Sequence, residues 1–231
     1  MIGVNHIIGH VFSCFLENEN GLDGIEYPFT GMVISGGHTS SLMVRSISDV
    51  SVIGRTVDDA VGEAFDKVGK VLGLGYPGGP AVERAAGNFS GSDKIVFPRA
   101  LMQDPHNLDF SFSGIKTAVM YKWKDSEKND AEIQRICYSF QEAVVDVICK
   151  KMLRAVSSVG SRTLAVGGGV VNNTALRTAL KDVCSRNGID LYLPLRKYCS
   201  DNAAMIGVLG ERLFADGFRS DDLMNVELGE F

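Results

Sequence analysis

The amino-acid sequence predicts an α/β fold in which helices pack on a parallel or mixed β-sheet. Strands alternate with helices in the second half of the chain, which is the pattern of such sheets. Three short apolar runs in the first half, at 31–35, 40–47 and 50–57, are typical of an antiparallel meander. Glycine-rich turns follow strands at 34–38 and 167–173, where backbone N–H groups can approach phosphate oxygens.

The bulk composition restricts the class of protein. The 231 residues carry a formal net charge of −5, so a nucleic-acid partner needs a local basic patch or a helper subunit. The five cysteines are scattered without a C-x-x-C pair, which is typical of reduced thiols. No stretch has the length of a membrane span, and the N-terminus lacks a signal-peptide pattern. We therefore expect a cytoplasmic protein without a membrane partner.

The first half should begin with an amphipathic helix over 4–19, which presents two histidines, followed by a loop and the meander. Asp58 and Asp59 can cap a helix that runs to residue 74. The glycine- and proline-rich segment 75–80 should end that helix, and a short helix over 81–87 should follow.

The second half should begin with an irregular segment over 88–116, rich in Ser, Asp and Phe. A helix through Trp123 and a long amphipathic helix over 131–158 follow. The remaining elements should alternate as strand 163–169, helix 172–188, strand 190–194 and helix 200–217.

His6 and His10 lie one helical turn apart, so both imidazoles can bind one metal ion. The zinc-protease motif H-E-x-x-H has its general base at the second position, where this chain has Ile7, so a protease is disfavoured. Two histidines with structural roles are the alternative, since a site needs a third ligand. Asp201 is the best oxygen donor elsewhere, and two histidines with one carboxylate commonly bind iron or zinc.

The glycine turns have two interpretations each. Residues 34–40 can bind a phosphate through N–H groups and the hydroxyls of Ser35 and Thr39, or can simply join two antiparallel strands. Residues 166–173 form the strongest phosphate signal, because an apolar strand leads into three glycines and then a helix that begins with asparagines. Neither the Walker pattern nor the Rossmann fingerprint is present.

Weaker candidates lie between these turns. Asp66 is on an acidic helix face, which can bind ribose hydroxyls or magnesium, or can be solvated near a helix N-terminus. Gly79 exposes backbone against which a flat ring can lie, or belongs to a plain helix stop. Ser200, Asp201 or Asn202 can cap the last helix, and if Asp201 binds a metal, Ser200 is the expected cap.

Six motifs occur in order: NHIIGH, ISGGHTS, DDAVGEAFDKVGKVLGLGYPGGP, DFSFSGIKTAV, GGGVVNNTALR and CSDNAAMIG. In this order and spacing they closely resemble the TsaD/Gcp/Kae-type family, the tRNA threonylcarbamoyl transferases. The resemblance covers nearly the whole chain. It implies the actin/hexokinase/Hsp70-like ATPase fold (ASKHA, RNase H-like), with two lobes flanking a nucleotide cleft.

The resemblance also implies a division of the chain. Residues 1–30 would be a remnant of the first lobe with the metal-binding helix, and residues 31–231 the second lobe with the nucleotide- and adenylate-binding turns. Family members usually begin with a strand and a phosphate loop that carries Glu-Thr-Ser-Cys-Asp-Asp. The fold is therefore expected to be truncated at its N-terminus by about 100 residues, a small domain's worth.

Carried over by position, the family's sites imply one divalent metal per subunit, iron before zinc, bound by His6, His10 and Asp201. No catalytic side chain is assigned. The implied substrate-binding residues, which would contact threonylcarbamoyl-AMP or ATP/ADP, are Val33, Ile34, Ser35, Gly36, Gly37, Asp66, Gly79, Glu83 and Asn173.

The implied reaction transfers threonylcarbamoyl from threonylcarbamoyl-AMP to the adenosine next to the anticodon. The metal would act as a Lewis acid, and the glycine turns would bind the AMP leaving group. The implied partners are tRNA, helper subunits of the threonylcarbamoyladenosine machinery and a dimer. The alternative is a non-catalytic relative that dimerises with a partner subunit as a scaffold, but the retained histidine, aspartate and glycine motifs favour the enzyme.

Overall fold

A five-stranded mixed sheet forms the centre of the protein in a computed structural model, which describes residues 2–17, 21–22 and 24–219. Its strands are β1 (Phe29–Ile34), β2 (Thr39–Val44), β3 (Val50–Arg55), β4 (Thr163–Gly167) and β5 (Asp190–Tyr192). The order across the sheet is β3-β2-β1-β4-β5. β1, β2 and β3 form an antiparallel meander, whereas β1–β4 and β4–β5 are parallel pairs. The predicted meander and mixed sheet are confirmed.

Helices cover both faces of this sheet. They are α1 (His6–Phe12), α2 (Val61–Val71), α3 (Gly78–Gly87), α4 (Ser113–Lys124), α5 (Asp130–Val159), α6 (Thr174–Asn187) and α7 (Ala203–Ala215). Side chains alternate along β1, so Met32 and Ile34 join the larger core with α2–α6, while Phe29 and Val33 join a smaller core with α1 and α7. α1 thus packs on the same sheet as the rest of the described chain. The proposed division at residue 30 stays a prediction, and its residues 1, 18–20, 23 and 220–231 lie outside the described part.

The first helix is shorter than its apolar pattern predicts. α1 ends at Phe12 and continues as a 3-10 turn over Ser13–Phe15, not as a helix to residue 19. The Ser13 hydroxyl donates a hydrogen bond of 2.7 Å to the His10 carbonyl, which is a local alternative to helix continuation. At the other end, the Asn5 side chain accepts hydrogen bonds from two backbone N–H groups and caps the helix.

The predicted cap of the second helix is wrong. α2 begins at Val61, and its preceding residue, Ala60, provides no side-chain cap. Asp58 instead caps α4, because its carboxylate accepts hydrogen bonds from Phe112 N–H and from the backbone and hydroxyl of Ser113. This contact joins residues more than fifty positions apart, so local sequence cannot reveal it.

Two further helix starts differ from expectation. α3 begins at Gly78, within the segment expected to be a turn. A Cβ at Gly78 would lie 2.6 Å from the Cα of Asp66, so this glycine lets α3 pack closely on α2. α7 is capped by Asn202, whose side chain accepts a hydrogen bond of 2.9 Å from Met205 N–H, and not by Ser200. Asp201 is therefore not used as a cap.

The irregular segment before α4 is held on α5 by buried and partly buried side chains. Lys151 is fully buried, and its ammonium donates to the Leu101 carbonyl at 2.6 Å and to the Asn107 carbonyl at 2.7 Å. Arg154, one turn later on α5, donates to the Met102 carbonyl at 2.8 Å. These charge-assisted hydrogen bonds order a segment that has no regular secondary structure of its own.

Candidate metal centre and nucleotide cleft

The first and last helices converge at the end of β4. Gly167, the last residue of β4, has no side chain, and a Cβ there would overlap the His10 carbonyl. α1 and α7 are also in close contact, since a Cβ at Gly9 would lie 3.2 Å from the Ile206 side chain. Gly167 and Gly9 thus allow α1 to pack between β4 and α7, with His10 facing the start of α7.

This packing brings together the three predicted metal ligands. His10 Nε2 lies 3.1 Å from Asp201 Oδ1, and His6 Nε2 lies 3.4 Å from the same oxygen. One candidate ligand atom from each residue lies within 4.8 Å of the others. About two hundred residues separate the histidines from the aspartate in sequence, so the fold itself creates the cluster.

His10 has the properties of a metal ligand. Its side chain is 1 % exposed, yet neither ring nitrogen forms a hydrogen bond of good geometry with the described residues. Burial, and then the neighbouring His6, lowers the pKa of His10, and Asp201 offsets this only in part. The neutral imidazole that results is the form that binds metals. His6 and Asp201 are exposed, which leaves the rest of a coordination sphere accessible to ligands.

The donor set therefore fits a divalent transition metal. Two imidazoles and one carboxylate with open positions suit iron or zinc, whereas magnesium and calcium prefer oxygen ligands. A buried histidine without a hydrogen-bond partner is costly unless an ion satisfies it.

A cleft of about 180 Å³ opens beyond the ends of β1 and β4. Its lining comes from four separate segments of the chain: Gly36, Gly62, Phe65, Gly79, Pro80, Glu83, Gly169, Val170, Asn172 and Asn173. The carboxyl ends of β1 and β4 are neighbours because the two strands are parallel, and such a position is where open α/β sheets bind ligands. The cleft and the metal cluster share one structural border, since Gly167 contacts α1 and Gly169 lines the cleft.

The turn between β1 and β2 is a tight hairpin with a distinctive pattern of hydrogen bonds. Ser35 N–H donates to the His38 carbonyl at 2.8 Å, and the Ser35 hydroxyl accepts from His38 N–H at 3.1 Å. The backbone N–H groups of Gly36 and Gly37 have no hydrogen-bond partner within the described residues. Both interpretations of this turn are compatible with that geometry, because a hairpin with two free N–H groups is also able to bind an anion.

One of the two hydroxyls expected to assist the turn, that of Thr39, is engaged elsewhere. The Thr39 hydroxyl is buried and accepts a hydrogen bond of 3.0 Å from Val61 N–H. Val33 and Ile34 are fully buried in β1, so only their backbone could contribute to a ligand site.

Asn173 and Glu83 lie at one wall of the cleft. Asn173 caps α6, since its side-chain oxygen accepts from Leu176 N–H at 2.9 Å, and its amide donates to Gln141 at 2.7 Å. The Glu83 carboxylate accepts a hydrogen bond of 2.7 Å from Thr174 N–H. Both side chains therefore hold α3, α5 and α6 together at the cleft, with unused hydrogen-bonding capacity on each polar group.

Asp66 and Gly79 have different surroundings. Gly79 lines the cleft, and a Cβ there would meet no atom within 4 Å. Asp66 borders an adjoining hollow with Lys67 and Tyr76, and its carboxylate accepts a hydrogen bond of 2.8 Å from Gly78 N–H. The structure thus brings Gly36, Gly79, Glu83 and Asn173 to one cleft and places Asp66 next to it.

Sequence reasoning missed several cleft residues. Gly62, Phe65 and Val170 line the cleft, although on the helix of the first two the sequence pattern indicates only the acidic face as a candidate site. The glycine turn over 166–173 predicts that Gly168→Val weakens adenine-nucleotide binding by blocking approach of the ligand to the backbone, but this variant cannot test the site. Gly168 has a φ of 104°, and its Cβ would lie 2.5 Å from the Ile34 carbonyl, so a valine would disturb the fold. Gly79 is the better position.

Comparison with known proteins identifies the family. The model of the family described as TsaD, tRNA N6-adenosine threonylcarbamoyltransferase, matches residues 1–208. The chain belongs to this family. Relatives with that name are 40 % identical over 224 residues in Thermosipho africanus and 43 % over 226 residues in Syntrophotalea carbinolica. These matches cover 97 % and 96 % of this chain but 66 % and 63 % of the relatives, so the chain spans somewhat less than two thirds of their length.

Solved structures confirm the fold class. Full-length HypF in its phosphate- and nucleotide-bound form superimposes with a TM-score of 0.68 at 15 % identity, over 92 % of this chain and 36 % of that one. HypF from T. kodakarensis gives a TM-score of 0.64 at 14 % identity, over 90 % and 37 %. The α/β fold of the actin/hexokinase/Hsp70-like class is thus shown. Among the described residues, no helix combines the length and apolarity needed to cross a bilayer.

Proposed function

We propose that this chain provides the metal centre and the adenylate-binding cleft of a tRNA N6-adenosine threonylcarbamoyltransferase. The observation that carries the proposal is the convergence of His6, His10 and Asp201 beside a cleft bordered by glycine backbone. Family membership supports the reaction class. The substrate proposed for the cleft is threonylcarbamoyl-AMP, with ATP or ADP as alternative ligands.

The free N–H groups of Gly36 and Gly37 are proposed to bind the phosphate of the adenylate. They would stabilise the charge that develops on AMP as it leaves, because preorganised donors need no reorganisation during the reaction. Gly79 offers backbone without a side chain to the adenosine part, and the polar groups of Glu83 and Asn173 are within the same wall. Asp66 is proposed to reach the ribose from the adjoining hollow.

His6, His10 and Asp201 are proposed to hold one iron ion, with zinc as the alternative. When bound, the metal supplies Lewis acidity toward the carbamoyl group of the substrate. His10 contributes a neutral ring in a fixed orientation, since it is buried between β4 and α7. The two exposed ligands leave room for substrate on the open side.

The acceptor is proposed to be the adenosine next to the tRNA anticodon, in the cytoplasm. With a net charge of −5 the chain lacks an overall field that attracts RNA, which favours the involvement of helper subunits or a dimer partner. The scaffold alternative is not favoured, because a protein that only dimerises has no need for a buried histidine paired with two further ligands.

The proposal is tested with the purified chain and its Asp201→Asn variant. The wild type should bind one iron or zinc ion by elemental analysis and should bind AMP by titration calorimetry. Asp201→Asn should lose the metal and still bind AMP, with an affinity changed only through coupling between the two sites, because the carboxylate lies outside the cleft lining. Asp216→Asn, at the far end of α7, is the matched control and should keep both. A wild type that binds neither metal nor AMP would contradict the proposal.

Transfer itself is tested by incubating the metal-loaded chain with threonylcarbamoyl-AMP, tRNA and the helper subunits. The expected product is threonylcarbamoyladenosine in digested tRNA, measured by mass spectrometry. Formation of the same amount by Asp201→Asn would refute a role for the metal centre.

A further inference from the structure

The first turn of α2 is locked to the hairpin between β1 and β2. Gly62 N–H donates a hydrogen bond of 3.2 Å to the Ser35 carbonyl, and Glu63 N–H donates one of 3.1 Å to the Gly36 carbonyl. Val61 N–H donates to the Thr39 hydroxyl at 3.0 Å. Three N–H groups that a helix start leaves without intrahelical partners are thus satisfied by one hairpin.

The same contact is sterically tight at a single position. A Cβ at Gly62 would lie 2.7 Å from the Gly36 Cα and 2.7 Å from the Ser35 carbonyl oxygen. Both neighbouring atoms are backbone, so no flexible side chain can move aside. Gly62 has no unusual φ, and hence its glycine is required by contact with the hairpin and not by backbone conformation.

We infer that Gly62 is a positioning residue that sets where the Gly36–Gly37 hairpin lies in the cleft. The N–H groups of α2 donate hydrogen bonds to the carbonyl groups of the hairpin, and the N–H groups of Gly36 and Gly37 remain free for a ligand phosphate. Any side chain at position 62 therefore forces the hairpin and α2 apart. This inference rests on the proposed adenylate site. It assigns to that site one residue that positions the phosphate-binding turn without a side chain that contacts the phosphate.

The test compares ligands with and without a phosphate. Titration calorimetry measures adenosine and AMP binding to the wild type, to Gly62→Ala and to Gly114→Ala. Gly114 is the matched control, because it is also the second residue of its helix and its Cβ would meet nothing within 4 Å. Gly62→Ala should weaken AMP binding by about tenfold or more and change adenosine binding by less than about twofold, while metal content stays at the wild-type level.

The outcomes separate the two claims. A wild type that binds AMP no more tightly than adenosine would refute the phosphate site itself and, with it, this inference. A wild type that prefers AMP, together with equal losses of AMP and adenosine in Gly62→Ala, would refute only the positioning role, because a merely structural defect lowers both affinities alike.

A second variant covers the case in which Gly62→Ala does not fold. Thr39→Val removes the hydroxyl that accepts Val61 N–H and adds no bulk at the contact. It should cause a smaller loss that is again selective for AMP. Unchanged AMP affinity in folded Thr39→Val would count against the link between α2 and the hairpin.

Discussion

Gly79→Val is expected to weaken adenine-nucleotide binding without lowering the stability of the fold. Gly79 is the second residue of α3, it lines the cleft, and a Cβ there meets no atom within 4 Å. The Cβ of a valine would lie in open space, and its two methyl groups would add bulk at the cleft. Since valine has a slightly better helix propensity than glycine, the helix itself is not weakened.

The magnitude follows from the cost of crowding. A ligand that packs against bare backbone at Gly79 must shift or strain when methyl groups occupy that space, and overpacking of this kind costs about 1–3 kcal/mol. This corresponds to a loss of roughly 5- to 150-fold in AMP affinity.

Titration calorimetry with AMP measures the effect, and thermal unfolding checks the fold. Gly87→Val is the control, because Gly87 ends the same helix, is exposed, and also has no atom within 4 Å of its Cβ. It should bind AMP as the wild type does. If folded Gly79→Val retains full AMP affinity, the adenosine part does not lie against α3 and the proposed ligand pose is wrong.

Two further predictions concern stability, measured by urea unfolding. Lys151→Met should lower the free energy of unfolding by about 3 kcal/mol, because buried carbonyls lose a charged donor, whereas the exposed Lys150→Met should change it by less than about 0.5 kcal/mol. Burial lowers the pKa of Lys151 to about 8 in the folded chain. Above pH 8 the unfolded chain therefore binds more protons than the folded chain. The free energy of unfolding of the wild type should then rise with pH relative to that of Lys151→Met. Asp58→Ala should cost about 1 kcal/mol as a lost cap, and Asp125→Ala at the opposite end of α4 should cost nothing. Burial tends to raise the pKa of Asp58, but the hydrogen bonds that its carboxylate accepts outweigh burial and lower the pKa. The difference in the free energy of unfolding between the wild type and Asp58→Ala should therefore vanish only as the pH falls through that lowered pKa. Equal effects in either pair would contradict these assignments.

The cluster of His6, His10 and Asp201 and the central sheet could be predicted from the sequence, because the patterns that indicate them are local or belong to the family's motifs. Helical spacing places His6 and His10 on one face, and the family's motif order points to Asp201 as the third proposed ligand. The meander follows from short apolar runs with turns between them. These features depend on residues within a few positions of one another, or on a resemblance that already contains their tertiary arrangement.

The features that sequence reasoning missed all depend on contacts across the fold. Asp58 looks like a cap for the helix that follows it, yet it caps α4 more than fifty residues later. Gly62 resembles an ordinary helical glycine until the hairpin is seen against it. Gly78 resembles part of a turn, although it begins α3, packs directly on Asp66 and donates its N–H to the Asp66 carboxylate. Single-sequence patterns do not contain such pairings.

The backbone at the end of β4 lies next to both the proposed metal centre and the proposed nucleotide cleft. Gly167 packs closely against the carbonyl of His10, and Gly169 lies two residues further on in the lining of the cleft. If binding of a metal ion or of a nucleotide displaces this short stretch, the geometry of the other site changes as well. Ion and nucleotide affinities are then expected to show heterotropic coupling, and thermodynamic reciprocity requires each ligand to alter the other's dissociation constant by the same factor.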